Sequence, residues 1–142
     1  MIDPAPCTLV LVEDDDVAAE AVIRGLERAG LSLPVVWVQD GQAALQVLRG
    51  RDPLRQAPRP RVVLLDLNMP GMSGLEFLQQ LRADGHLQHE VVIVLTTSDS
   101  ATDRELTRQA NVAAYFVKGP AGQPFTQLAQ LIQSCQSTVP HR

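Results

Sequence analysis

Five short aliphatic runs punctuate this chain, each followed by a stretch of helical character. The runs are Thr8–Val12, Val35–Val38, 62–65, 91–95 and 113–117. They are apolar at nearly every position, not at every second one, which predicts strands covered on both faces. The segments between them have the other period. Residues 15–29 place Val17, Ala21, Val22, Leu26 and Ala29 on one side, with Gly30 positioned to stop the helix. Gly41–Leu48 carries Ala44, Leu45 and Leu48. Ser73-Gly74-Leu75-Glu76 reads as a capping box opening a helix with Leu75, Leu78 and Leu81 inward, and Ser100-Ala101-Thr102-Asp103 is a second helix start. A last helix over 123–137 spaces Phe125, Leu128, Ile132 and Cys135 along one face. Strand and helix in strict alternation predict an α/β fold, a parallel sheet with helices on both sides. The expectation is one domain over residues 1–142, with no internal repeat, linker or separate output domain.

Several function classes drop out. The longest aliphatic run, Val91-Val92-Ile93-Val94-Leu95, is far short of the ~20 apolar residues of a membrane span. Met1-Ile2-Asp3-Pro4 lacks the basic and apolar regions of a signal peptide. Two cysteines, Cys7 and Cys135, make neither a disulfide framework nor a metal cluster, and predict a reducing, cytoplasmic setting. A net charge of -4 argues against a nucleic-acid partner.

In an open parallel sheet, ligands bind beyond the carboxyl ends of the strands. The first run ends in Glu13-Asp14-Asp15-Asp16, the third in Asp66, the fourth in Thr96-Thr97 and the fifth in Lys118, the single lysine among twelve basic residues. Each has a plain reading alone: helix-dipole acids, a turn aspartate, a strand-end hydroxyl, a solvated lysine. Together they put acids, a hydroxyl and an ammonium on one sheet edge. Carboxylates near 4 Å repel by ~1 kcal/mol in water and ~4 kcal/mol at an effective dielectric of 20, so such a group calls for a cation. Oxygen-only coordination suits Mg²⁺, which keeps sites open for phosphate oxygens. Thr96 and Lys118 would cover the remaining charge of a transferring phosphoryl group, with Asp66 as nucleophile forming an acyl phosphate.

The segments Leu11-Val12-Glu13-Asp14-Asp15, Leu64 through Gly74, Val94-Leu95-Thr96-Thr97 and Tyr115-Phe116-Val117-Lys118 resemble the receiver domain of two-component response regulators over essentially the full chain. The resemblance implies a flavodoxin-like (βα)5 sheet of strand order 2-1-3-4-5, an order for which a member of this family is a standard example. By position it makes Asp66 the phosphoacceptor. It also makes Asp14 a direct Mg²⁺ ligand, Glu13 a ligand through water, and Asn68 a ligand through its backbone carbonyl. Thr96 becomes the switch hydroxyl, Lys118 the phosphate-binding lysine, and Tyr115 the aromatic that turns inward with Thr96. The implied donor is the phosphohistidine of a sensor histidine kinase, and the implied output is protein–protein contact; the chain is then a phosphoacceptor and not an enzyme.

One departure stands out: the family usually follows the lysine with proline, often through a cis bond, and here Gly119 intervenes before Pro120. A cis bond before glycine costs ~2.5–4 kcal/mol, which predicts a trans bond and a differently shaped loop. That keeps open a pseudo-receiver, with the fold but no phosphorylation. A haloacid-dehalogenase-type phosphatase needs a second aspartate where Asn68 stands, and a flavin module needs a glycine- and hydroxyl-rich loop where the acids stand.

Three smaller features complete the reading. Residues 49–61 carry five arginines against Asp52; this is read as a solvated, proline-stiffened connection, with an arm for an acidic partner as the alternative. A long connection here also resembles stand-alone receivers serving phytochrome-type kinases. His86 and His89 lack a third metal ligand. Leu131, outside the last helix's stripe, is either an ordinary surface leucine or a contact to a second copy in a homodimer.

Overall fold

All five runs form parallel strands in the computed structural model, which describes residues 7–119 and 125–136: β1 (Thr8–Val12), β2 (Val35–Val38), β3 (Arg61–Leu65), β4 (Val91–Thr96) and β5 (Ala114–Val117). Between and after them lie α1 (Asp16–Arg28), α2 (Gly41–Leu48), α3 (Gly74–Ala83), α4 (Ala101–Gln109) and α5 (Phe125–Gln136). The sheet order is β2-β1-β3-β4-β5, so the chain reverses its direction of growth after β2, and the crevice that this reversal opens lies between β1 and β3. Register is in step there, Leu11 opposite Leu64 and Val12 opposite Leu65, which brings Glu13 and Asp66 out of the sheet side by side.

Strand alternation divides the core in two. Val10, Val12, Val63, Leu65, Val92 and Val94 face α2 and α3, where they meet Leu45, Leu48, Phe77, Leu78 and Leu81. Leu9, Leu11, Val62, Leu64, Ile93 and Leu95 face α1 and α5, against Val22, Leu26, Leu128 and Ile132. Each fully buried aliphatic side chain contributes ~1.5–3 kcal/mol. Helix starts are capped as the sequence predicts. Ser73 Oγ accepts from Glu76 N at 3.2 Å and Ser100 Oγ from Asp103 N at 3.2 Å, while Gly30 ends α1 in the left-handed region at φ 91°.

Some expectations need correction. Val17 is 72% exposed and Ala21 is also exposed; the inward stripe of α1 is Ala19, Val22, Gly25 and Leu26. The stripe runs through Gly25 because the Phe125 ring occupies the space where a Cβ would lie. Phe77, which the sequence reading passed over, is fully buried. β3 begins one residue early, at Arg61, β4 runs to Thr96, and β5 starts at Ala114. The ends expected for α5 at 123 and 137 lie outside the described residues.

The arginine-rich connection is not simply solvated. Arg61 is 8% exposed, pairs with Glu90 through Nε–Oε1 at 2.6 Å and donates to the carbonyls of Ala57 and Leu48. Arg59 joins the same Glu90, Arg49 pairs with Asp84, and Arg55 binds both Asp52 and the Trp37 carbonyl on the open edge of β2. Ion pairs thus hold the segment down. Leu131 is half-buried against the second core cluster, which gives it an intramolecular role.

Candidate functional site

Glu13 follows β1 directly and is 3% exposed, Asp66 follows β3 and is 8% exposed, and Asp14 is exposed. One carboxylate oxygen from each lies within 4.8 Å of the other two. Among the described residues this is the one such grouping of possible metal ligands, so His86 and His89 form none. Burial pushes the Glu13 carboxyl up to about 7; the Lys118 hydrogen bond opposes this and the charge of Asp66 adds to it. Lost hydration is thus the main reason this carboxylate resists ionising, and positive charge brought beside it favours the charged form.

Lys118 reaches the cluster from the end of β5. Its Nζ donates to Glu13 Oε1 at 2.6 Å and stands 3.8 Å from Asp66 Oδ2. The ammonium therefore lies closer to Glu13, the drier of the two acids, than to Asp66. Arg59–Pro60 is the one cis peptide among the described residues, so Lys118–Gly119 is trans, and the ammonium is at the cluster nonetheless. The backbone helps fix the strand end, with Lys118 N donating to Thr96 O at 2.8 Å.

Thr96 ends β4, fully buried. Its Oγ1 accepts from Ser98 N at 3.3 Å and from Asn68 Nδ2 at 3.4 Å. Asn68 also donates from Nδ2 to Thr97 Oγ1 at 3.0 Å and from its backbone to Asp66 Oδ1 at 3.2 Å. Sequence reasoning assigned only its backbone carbonyl; its side chain in fact ties the loop after β3 to the loop after β4. Tyr115 lies farther out, half-buried, with Oη donating to Ser98 O at 2.8 Å and the Arg104 guanidinium 4.7 Å above its ring.

By sequence Trp37 is simply a β2 residue. Its Nε1 donates to Glu13 O at 2.8 Å, so the single tryptophan is bonded to the acidic loop. No spacing rule could have shown this, because the partner comes from a neighbouring strand. Gly74 is a second omission: a Cβ there would lie 2.6 Å from Leu67 Cα and 2.7 Å from Asp66 O. Only a bare residue lets α3 begin so close to the backbone of Asp66. Larger hollows, about 450 Å³ between α3 and α4 and about 560 Å³ beneath the α2–β3 connection, lie away from the acids. Charge, not volume, marks this site.

The response regulator receiver domain family matches residues 9–130. The chain belongs to that family. Relatives include the probable methanogenesis regulatory protein FilR2 of Methanothrix harundinacea, 37% identical over 80% of this chain and 72% of that protein. Response regulator Rcp1 of Synechocystis is 30% identical over 91% of this chain and 88% of Rcp1. The Mn²⁺-bound crystal structure of Rcp1 superposes with a TM-score of 0.74 at 28% identity, covering 95% of this chain and 99% of that one. The phosphorylated cyanobacterial phytochrome response regulator RcpA gives a TM-score of 0.75 at 30% identity over 95% and 94% of the two chains. The receiver fold is therefore shared along almost the whole chain, and the cluster of Glu13, Asp14 and Asp66 fits a phosphoacceptor site. No helix among the described residues is long and apolar enough to cross a membrane.

Proposed function

We propose that this receiver takes a phosphoryl group on Asp66 from the phosphohistidine of a sensor histidine kinase of the phytochrome-associated type, and signals as a stand-alone receiver by protein–protein contact. The observation that carries the reading is the convergence of three carboxylates and the only lysine at the β1/β3 crevice. Glu13, Asp14, Asp66 and the Asn68 backbone carbonyl would hold Mg²⁺, and the all-oxygen donor set fits that ion. When bound, it supplies positive charge to the acids and to a phosphoryl oxygen.

The rest falls to the chain's own side chains. An Asp66 carboxylate oxygen forms the bond to phosphorus as the bond from phosphorus to the kinase imidazole breaks, with the electron pair left on the ring nitrogen. Lys118, already 3.8 Å from Asp66, neutralises one phosphoryl oxygen, and the Thr96 hydroxyl donates to another. Thr96 then draws on the loop it shares with Asn68 and Ser98, and the loss of the Tyr115–Ser98 bond frees the ring to turn inward. α4 is suited to follow, since Thr107 is its one buried residue. Moving such an equilibrium from 1:99 to 99:1 takes ~5.5 kcal/mol of differential interaction.

Acetyl phosphate with Mg²⁺ should add one phosphoryl group, detected by intact mass, and Asp66→Asn should abolish it. Full labelling of the variant would place the acceptor elsewhere. Complete failure of the unmodified chain to label, from acetyl phosphate or from a phosphorylated kinase, would instead favour a receiver that acts without phosphorylation.

A further inference from the structure

Cys7 and Cys135 stand near opposite ends of the sequence, yet both are buried in one core cluster, Cys7 completely and Cys135 at 8% exposed. The topology explains why they share it. Cys7 leads into β1 at the amino edge of the sheet and shares the side of Leu9 and Leu11 through strand alternation. α5 crosses that same face from the carboxyl edge. Leu128, Ile132 and Cys135 repeat at helical spacing on its inner side, so the last turn arrives above the amino edge. The thiols also sense each other: burial is the main cause lifting Cys7 to about 11, and Cys135 adds to it.

We propose that Cys7 and Cys135 are a modification site, a dithiol that a small-molecule disulfide such as oxidised glutathione converts to an intramolecular disulfide tying β1 to α5. One cysteine thiolate attacks a sulfur of the oxidant, whose S–S bond breaks and releases one reduced thiol. The second cysteine then attacks the mixed disulfide, forming the Cys7–Cys135 bond and releasing the other. The two cysteine sulfurs are oxidised, the two oxidant sulfurs are reduced, and the cysteine protons end on the released thiols. Both cysteine pKa values are raised by burial, so the reaction is slow in the closed fold and proceeds as the last turn of α5 opens. The bond closes a loop of almost the entire chain, the case in which constraint of the unfolded state is largest. It lies at the sheet edge opposite Asp66, so it stands or falls apart from the phosphorylation reading.

The test treats the full chain with oxidised glutathione under native conditions. The expected product is a monomer lighter by two hydrogens, with one proteolytic fragment joining the Cys7 and Cys135 peptides, a higher thermal midpoint and full reversal by dithiothreitol. Cys7→Ser and Cys135→Ser should each remove the mass loss and the midpoint shift. Glutathione adducts on separate cysteines, disulfide-linked dimers, two unreacted thiols, or a cross-link formed only in urea would each overturn the proposal.

Discussion

Gly74→Ala tests the site's construction without touching a charged group. Alanine at the first residue of a helix should help on propensity alone, by up to ~1 kcal/mol. Here the added Cβ falls 2.6 Å from Leu67 Cα, 2.7 Å from Asp66 O and 2.9 Å from Leu67 Cδ2. Ordinary carbon contacts begin at ~3.5–4.0 Å, so relief takes a displacement of ~1 Å. Two of the three obstructing atoms are backbone, and Gly74 N is itself bonded to Leu67 O at 3.0 Å, so the strain passes to the segment bearing Asp66. Overpacking of this kind costs ~1–3 kcal/mol, leaving the variant less stable by ~0–2 kcal/mol. The effect on chemistry is larger, because a reacting group misplaced by ~1 Å loses ~10²-fold in rate. The assay is the rate of labelling by acetyl phosphate, followed by Trp37 fluorescence, since that indole is bonded to Glu13 O. Gly85→Ala is the control, because nothing lies within 4 Å of a Cβ there. A Gly74→Ala protein that is stabilised and labels at the normal rate would refute the reasoning.

Three further predictions concern other parts of the molecule. Glu90→Gln leaves the buried Arg61 and its neighbour Arg59 without their shared counter-charge and should cost ~3–5 kcal/mol in urea unfolding; a loss below ~1 kcal/mol would mean that the pairs are ornamental. Lys118→Ala should still label, slowly, but transmit little change, so amide exchange around Tyr115 that shifts as much as in the unmodified protein would contradict the role given to it. Cys7 is held protonated well above the ordinary thiol range, so its alkylation should keep rising through 9.0 toward about 11; a plateau near 9.0 would show an unperturbed thiol.

Much of the fold was legible because burial on both faces leaves a simple trace. A strand such as Val62 to Leu65 is apolar at every position only when helices cover it from both sides. Helix faces were less legible. Val17 and Ala21 have the right chemistry for an inward stripe, but α1 turns Gly25 toward Phe125 instead, and that choice depends on α5, a hundred residues later. Arg61 looked like one more charge in a basic connection; its buried place is set by Glu90, just before β4. A single sequence shows which residues are able to pair, not which ones a crossover brings together.

The same division holds for the site. The sequence by itself determined the inventory, Glu13, Asp14, Asp66, Thr96 and Lys118 at strand ends, because a parallel sheet delivers every such end to one edge. Only the tertiary structure decided how they share the charge. Lys118 sits closer to Glu13 than to Asp66, Asn68 links two loops through its side chain, and Trp37 holds the acidic turn. These are contacts between segments from different parts of the chain, fixed by strand order and packing, and no local period in the sequence encodes them.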